Sequence, residues 1–327
     1  MGKRFASFCE QYTGHFQLKT REVGPQCQQY LCGLMQANRK NMERMAEVVP
    51  DSDEQSLQHF LSNSDWDERS VLNQLALEAD QLLGGNEDSA LLLDESGLTK
   101  KGNCSVGVSR QYNGRLGKID NCQVGVFAAL CCGDRVTLID KRLFLPESWI
   151  DNPERCDSAG IPKADQSFKT KPELALEMVR YNRHLGIRFN WIGMDGLYGN
   201  TPELLRMLDD DKEVFVADVH SNQHIYLEDP RPEIPKRKGN RGRHPTKAIT
   251  QCKPIKVSMW TKDQEEAAWQ RVALRKSTKG HLIVEILHKE VWLWDGKEQQ
   301  AHRWRLIIRR ECGNRRVARG CRQPQAL

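Results

Sequence analysis

At residue 90 the chain changes its hydrophobic period. Before that point apolar residues recur at helical spacing; from Ala90 onward they come in short runs closed by turn residues or carboxylates. "ALLLD" (90–94) is too short for a comfortable helix and reads as a strand. "CQVGVFAALCCGDRVTLIDKRLFLP" (122–146) reads as two strands joined at a Cys-Gly-Asp turn. Thr170 and Glu173 stand at capping-box spacing and open a helix that runs to Gly186. "FNWIGMD" (189–195) is a further strand. "NTPELLRMLDDD" (200–211) is a short helix with Thr201 as cap and Pro202 in its first turn, and "EVFVADV" (213–219) is one more strand. Strand, hairpin, helix, strand, helix, strand implies a mixed sheet covered by helices, an α/β core.

The flanks differ from this core. Residues 25–85 pattern as helices: "QYLCGLMQANRKNMERMAEVV" (29–49), a break at Pro50-Asp51-Ser52, then two short helices with a break and cap at Ser64-Asp65. A small bundle is the default reading, and a DNA-reading helix-turn-helix is the sharper one. Beyond His220 a basic Pro/Gly-rich loop leads to "PIKVSMW" (254–260) and then to "TKDQEEAAWQRVALR" (261–275), read as a helix. "HLIVEILHKEVWLWD" (281–295) and "HRWRLIIRR" (302–310) read as strands, so 220–311 is β-rich. No internal repeat is evident.

Composition narrows the classes. Mean hydropathy is −0.66, and no stretch approaches the roughly 18–20 apolar residues that span a bilayer. "MGKRFASFCEQYTGHF" lacks an apolar signal core, so a cytosolic location without membrane attachment is expected. The eleven cysteines contain no Cys-x-x-Cys; Cys27 and Cys32 are five apart and Cys131–Cys132 are adjacent. Reduced, mostly buried thiols are expected. Residues 231–247 hold seven Lys/Arg against one Glu, and 303–322 hold eight Arg against one Glu. Such density suits a polyanion, most often nucleic acid; a solvated basic loop is the plainer alternative.

Asp94 and Asp195 share one description: a carboxylate closing an apolar strand, followed by a turn. Sites in α/β sheets assemble at strand ends. If the two strands are neighbours, the carboxylates converge and repel, and a divalent cation resolves the repulsion. Haloacid-dehalogenase-like phosphatases also close a strand with an aspartate, and "DESGLT" and "MDGLYGNT" loosely echo their motifs. Against that alternative, Ser96 stands where a second Asp is needed and Thr201 where the late motif ends in Asp.

"LLLDESGLTKKGNCSVGVSRQYNGRLGKIDNCQVGVF", "WIGMDGLYG" and "FVADV", with "RKNMERMAEVVPDSDEQSLQHFLSNSDWD" before them, resemble bacterial insertion-sequence transposases with an RNase H-like DDE catalytic core. The likeness runs from about residue 20 to about 313. It implies a helical N-terminal, DNA-binding domain over 1–87, a catalytic core over 88–220, and a β-rich insertion with a basic loop over 221–311. It implies Asp94 and Asp195 as the first two catalytic acids and as ligands of Mg2+ (or Mn2+). The expected activity is strand cleavage and strand transfer on double-stranded DNA, at the element's terminal inverted repeats and in target DNA. A nucleoid-associated protein in the cytoplasm, working as a homodimer, is expected. Lys100 and Lys101, and the loop cations Lys236, Arg237, Lys238, Arg241 and Arg243, are placed to meet phosphates, which position rather than specify.

The resemblance fails at the C-terminus. Its third acid is a Glu on a helix beyond the "RWRLIIRRE" strand, whereas this chain reads "CGNRRVARGCRQPQAL" (312–327) without an acidic residue. The tail reads as truncated or out of frame. Glu285, Glu290 and Glu311 are nearby, but Glu285 lies in an apolar strand pattern and Glu311 matches a non-catalytic position. Impaired catalysis, one face of the core sheet left uncovered, or a non-catalytic DNA-binding remnant is the resulting expectation.

Overall fold

The computed structural model describes residues 2–236, 244–277, 280–311 and 325–326. Five helices come first: α1 (Gly2–Tyr12), α2 (Gly24–Gln36), α3 (Met42–Val48), α4 (Glu54–Ser62) and α5 (Glu68–Leu83). Side-chain oxygens of Asn41, Asp53 and Asp67 accept from the amides of Arg44, Ser56 and Arg69, satisfying donors that α3, α4 and α5 leave open. Two expectations change here. The apolar period across 29–49 is split, because Asn41 caps a new helix and α2 stops at Gln36. The cap before α5 is Asp67, not Ser64-Asp65. Phe16, Phe60 and Trp66 form the aromatic centre of the bundle, with Phe60 and Trp66 stacked at 5.7 Å.

The central sheet has β1 (Ala90–Thr99), β2 (Ser109–Asn113), β3 (Lys118–Cys132), β4 (Arg135–Phe144), β5 (Trp191–Met194) and β6 (Phe215–Ala217). Across the sheet the order is β4-β3-β1-β5-β6, and β2 prolongs the β4 side along the start of β3. β1–β3 and β3–β4 pair antiparallel; β1–β5 and β5–β6 pair parallel. This mixed α/β arrangement is that of an RNase H-like core.

Two short helices, α6 (Glu147–Ile150) and α7 (Pro153–Ser158), follow β4. One face of the sheet is covered. α5, α8 (Lys171–His184) and α10 (Pro202–Asp210) bury Ala79, Met178, Val179 and Leu208 against Leu91, Leu93, Val126, Ala128 and Ile192. Asp80 of α5 ties the helix to the β5 side by accepting from the Arg188 amide and side chain at 2.7 and 2.9 Å. α8 carries the expected capping box between Thr170 and Glu173 and ends before Gly186, whose φ of +89° suits glycine. On the opposite face Val136, Leu138 and Val216 are exposed, so that face lacks helical cover among the described residues.

β1 departs from its reading. It does not turn after Asp94 but continues to Thr99, because the fifteen-residue β3 keeps supplying partners through Thr99↔Cys122. Gly97 is a close-packing position within the strand: a Cβ there would meet Asn113 at 2.7 Å. Thr201 also differs, since its hydroxyl donates to Leu197 O instead of capping α10.

Beyond the core, β7 (His224–Ile225) and β8 (Ile255–Lys256) pair, followed by α11 (Val257–Lys262). β9 (Gln270–Ser277), β10 (Gly280–Leu293) and β11 (His302–Glu311) form an antiparallel sheet. One reading is corrected: residues 270–275 of the stretch read as a helix are strand. Gln270–Ser277 is drawn into strand by the unpaired edge of β10, with Val284 opposite Val272. Ile225, Val257, Trp260, Leu287, Val291, Leu306 and Ile308 make this region's core. It meets the central unit where Arg206 pairs with Asp295 (2.9 Å) and Glu298 (2.6 Å), and where Phe215 stands edge-on to Trp304. The nine described cysteines are free, and only Cys122 and Cys156 are buried, fewer than composition suggested.

Candidate active site

Leu93 of β1 lies opposite Met194 of β5 in parallel register. The next residues along each strand are Asp94 and Asp195, so the two carboxylates stand side by side. Side chains alternate between faces. Both therefore project on the open face, shared with Leu92 and Gly193, and both are exposed. Burial pushes the Asp94 carboxyl above its ordinary range; the hydrogen bond from the Glu95 amide (2.8 Å) pulls it down, and the charges of Asp195 and Glu95 push it up again. No cationic side chain pairs with either aspartate among the described residues.

Local structure holds each acid. Asp195 caps the short helix α9 (Gly196–Gly199), its Oδ1 accepting from the Leu197 amide at 2.9 Å. Gly199 is required by closeness: a Cβ would lie 2.0 Å from the carbonyl oxygen of Asp218. Asn200 donates to Gly196 O and accepts from the His220 amide, tying the Asp195 turn to the segment after β6.

Glu95 points to the covered face, as strand alternation requires. Lys171 at the start of α8 meets its Oε1 at 3.2 Å. Tyr198 lies beneath, fully buried. Its hydroxyl and Glu95 Oε2 lack well-formed hydrogen bonds, yet they sense each other. Burial first, then the charges of Glu95, Asp195 and Asp94, hold the phenol far above its ordinary range.

Sequence reasoning passed over Asp218. It follows β6 directly and shares the Asp195 face, since Gly193 is opposite Val216. Burial and the charge of Asp195 raise its carboxyl, with Arg309 pulling it down. "FVADV" carried the same signal as the other two, an apolar strand closed by Asp. Three carboxylates thus line the ends of β1, β5 and β6. No group of three His, Cys, Asp or Glu side chains among the described residues closes tightly enough to hold a metal unaided.

The other candidates are dispersed. Lys100 and Lys101 follow β1, and Lys236 is exposed at the start of the basic loop. Arg237, Lys238, Arg241 and Arg243 lie outside the described residues. Three arginines of β11 pair with carboxylates: Arg303 and Arg305 with Glu290, and Arg310 with Glu285 (2.7 Å) and Glu266. Glu285 also meets Arg271 at 3.1 Å. Glu285 and Glu290 are therefore occupied, and Glu311 ends β11 opposite Val284.

A family model described as DDE superfamily endonuclease matches residues 11–281. The chain belongs to that family. It is also similar to a protein of Microchaete diplosiphon named "Probable transposase for insertion sequence element IS701", 30% identical over 191 residues, which are 58% of this chain and 47% of that protein. The chain spans about half the length of this curated relative.

Proposed function

We propose that the chain is an insertion-sequence transposase acting on double-stranded DNA, with Asp94 and Asp195 as its metal-holding catalytic acids. The observation that carries this is the parallel β1–β5 register, which sets two carboxylates together on the open face without a cationic partner. All-oxygen donors suit a hard cation. Mg2+ (or Mn2+) is commonly held by one or two carboxylates plus substrate phosphate oxygens, so this donor set fits. A bound ion of this kind supplies charge stabilisation at a scissile phosphate and activates an attacking hydroxyl.

The chain's own residues do the rest. The Glu95 and Leu197 amides each fix one oxygen of Asp94 and Asp195, orienting both carboxylates in advance. Lys171 neutralises Glu95 from below. Lys100, Lys101 and the cations of 236–243 hold the DNA backbone. The reaction is hydrolysis at the element end, in which water adds to phosphorus and a 3′-hydroxyl leaves. That hydroxyl then attacks a target phosphodiester and displaces a second 3′-hydroxyl. The proposed setting is the cytoplasm, with a homodimer bringing two ends together.

Catalysis is reduced in this chain. Glu285 and Glu290 are ion-paired away from the site, so among the described residues neither completes the set. That same pairing favours a second reading, a protein that occupies element ends without cutting them. Cleavage of linear DNA carrying the element's ends, with Mg2+ and with Asp94→Ala as control, separates the two. Weak Asp94-dependent nicking supports the first reading, DNA binding without nicking supports the second, and robust Asp94-dependent cleavage overturns the impairment.

A further inference from the structure

Past Asp94 the sheet loses β5 and β6, then β4 after Phe144. β2 takes over beside β3 at the level of Thr99, so a narrow ribbon of β1, β3 and β2 leads away from the carboxylates. Register and alternation determine which side chains share their face. On β1 these are Ser96, Leu98 and Lys100, the last continuing the pairing through its amide to Asn121 O. On β3 they are Gly125, Gln123, Asn121 and Ile119; opposite the last two, on β2, stand Arg110 and Tyr112. Tyr112, Ile119 and Leu98 are 57%, 60% and 53% exposed, an unusual grouping for a soluble surface.

Charge accompanies this apolar strip. Residues 98–120 hold five cations (Lys100, Lys101, Arg110, Arg115, Lys118) against one carboxylate, Asp120. Lys118 lies 3.9 Å from Asp120. No carboxylate pairs with Lys100, Lys101, Arg110 or Arg115 among the described residues, whereas Arg303 and Arg310 of β11 are engaged. An exposed aromatic between unpaired cations on a sheet surface matches how proteins hold single strands: bases stack on the ring, phosphates meet the cations.

We propose that the β1–β2–β3 ribbon is a platform for unpaired DNA running out from the Asp94–Asp195 site, with Tyr112 stacking on a base and Arg110, Arg115 and Lys100 holding phosphates. This inference rests on the reading of the chain as a protein that processes DNA strands. The ribbon gives one strand a separate track, lying on the order of 25 Å from the acids at its Tyr112 end, by strand rise.

The test is fluorescence anisotropy with the full chain in EDTA, so that metal binding plays no part. One probe is a duplex with a single-stranded tail of about 10 nucleotides, a typical platform length; the other is the same duplex with blunt ends. Tyr112→Ala should weaken the tailed probe about five- to a hundredfold and leave the blunt probe within about twofold. Tyr112→Phe should restore tail binding. Arg110→Ala with Arg115→Ala should lower the salt slope on the tailed probe by about one to two. Circular dichroism melts matching wild type establish that the variants fold. Unchanged tail binding by Tyr112→Ala, or equal loss on both probes, would overturn the proposal. So would a wild type that ignores DNA but dimerises through Tyr112 in light scattering. Asp94→Ala should bind the tail normally. Tyr112-dependent binding without Asp94-dependent cleavage therefore leaves the platform standing while the catalytic reading falls.

Discussion

Gly199 has no room for a side chain, because a Cβ would sit 2.0 Å from the Asp218 carbonyl, and backbone cannot step aside as a flexible side chain can. Gly199→Ala should cost about 1–3 kcal/mol in urea unfolding, whereas Gly196→Ala, where the nearest atoms are 3.4 Å away, should cost far less. Asp94 makes a prediction with a definite sign. Its carboxyl is raised in the folded protein, so between the unfolded and folded values the native state holds more protons. Metal-free stability should therefore fall as pH rises through that window, in the carboxylate range, and stay lower above it. Asp94→Asn should remove this fall and melt higher than wild type in EDTA at pH 7. Mg2+ added together with duplex DNA should raise the wild-type melting temperature above that with DNA alone, and the variant should lose that increment. Asp94 and Asp195 were legible in the sequence because a carboxylate after an apolar run is costly without a purpose. Asp218 carried the same mark but went unweighed, since only parallel pairing of β6 with β5 places it beside Asp195.

Among the elements, α8 shows local chemistry and tertiary placement in agreement. Thr170 and Glu173 cap each other, and Lys171 beside them reaches Glu95. Thr170→Ala should lower stability by about 1 kcal/mol, measured by thermal or urea unfolding. Elements of this kind were legible: cap, period and terminal glycine all agree. Residues 261–275 were not, because "EEAAWQRVALR" has good helical propensity, and the open edge of β10 decides in favour of strand. The length of β1 was hidden for a similar reason. Ser96-Gly97 resembles a turn until the long β3 offers it partners and Asn113 packs against the missing Cβ.

For the whole molecule, Arg206 links the central unit to the C-terminal sheet through Asp295 and Glu298, at 14% side-chain exposure. Arg206→Ala leaves Asp295 half-buried without its partner and should cost up to about 3 kcal/mol. Limited proteolysis should then release 221–311 sooner than in wild type. The α/β core was readable from strand order alone, whereas the mating of the two sheets depends on Phe215, Trp304 and Arg206, which carry no sequence signal of contact. The bare face bearing Val136, Leu138 and Val216 has a practical consequence for handling the protein. Added salt loosens a basic ribbon from DNA, while sulfate strengthens the burial of apolar surface. The buffer that strips nucleic acid from this protein during purification is thus the one that drives its molecules onto each other. Chloride in place of sulfate, at matched ionic strength, should keep it monodisperse in light scattering.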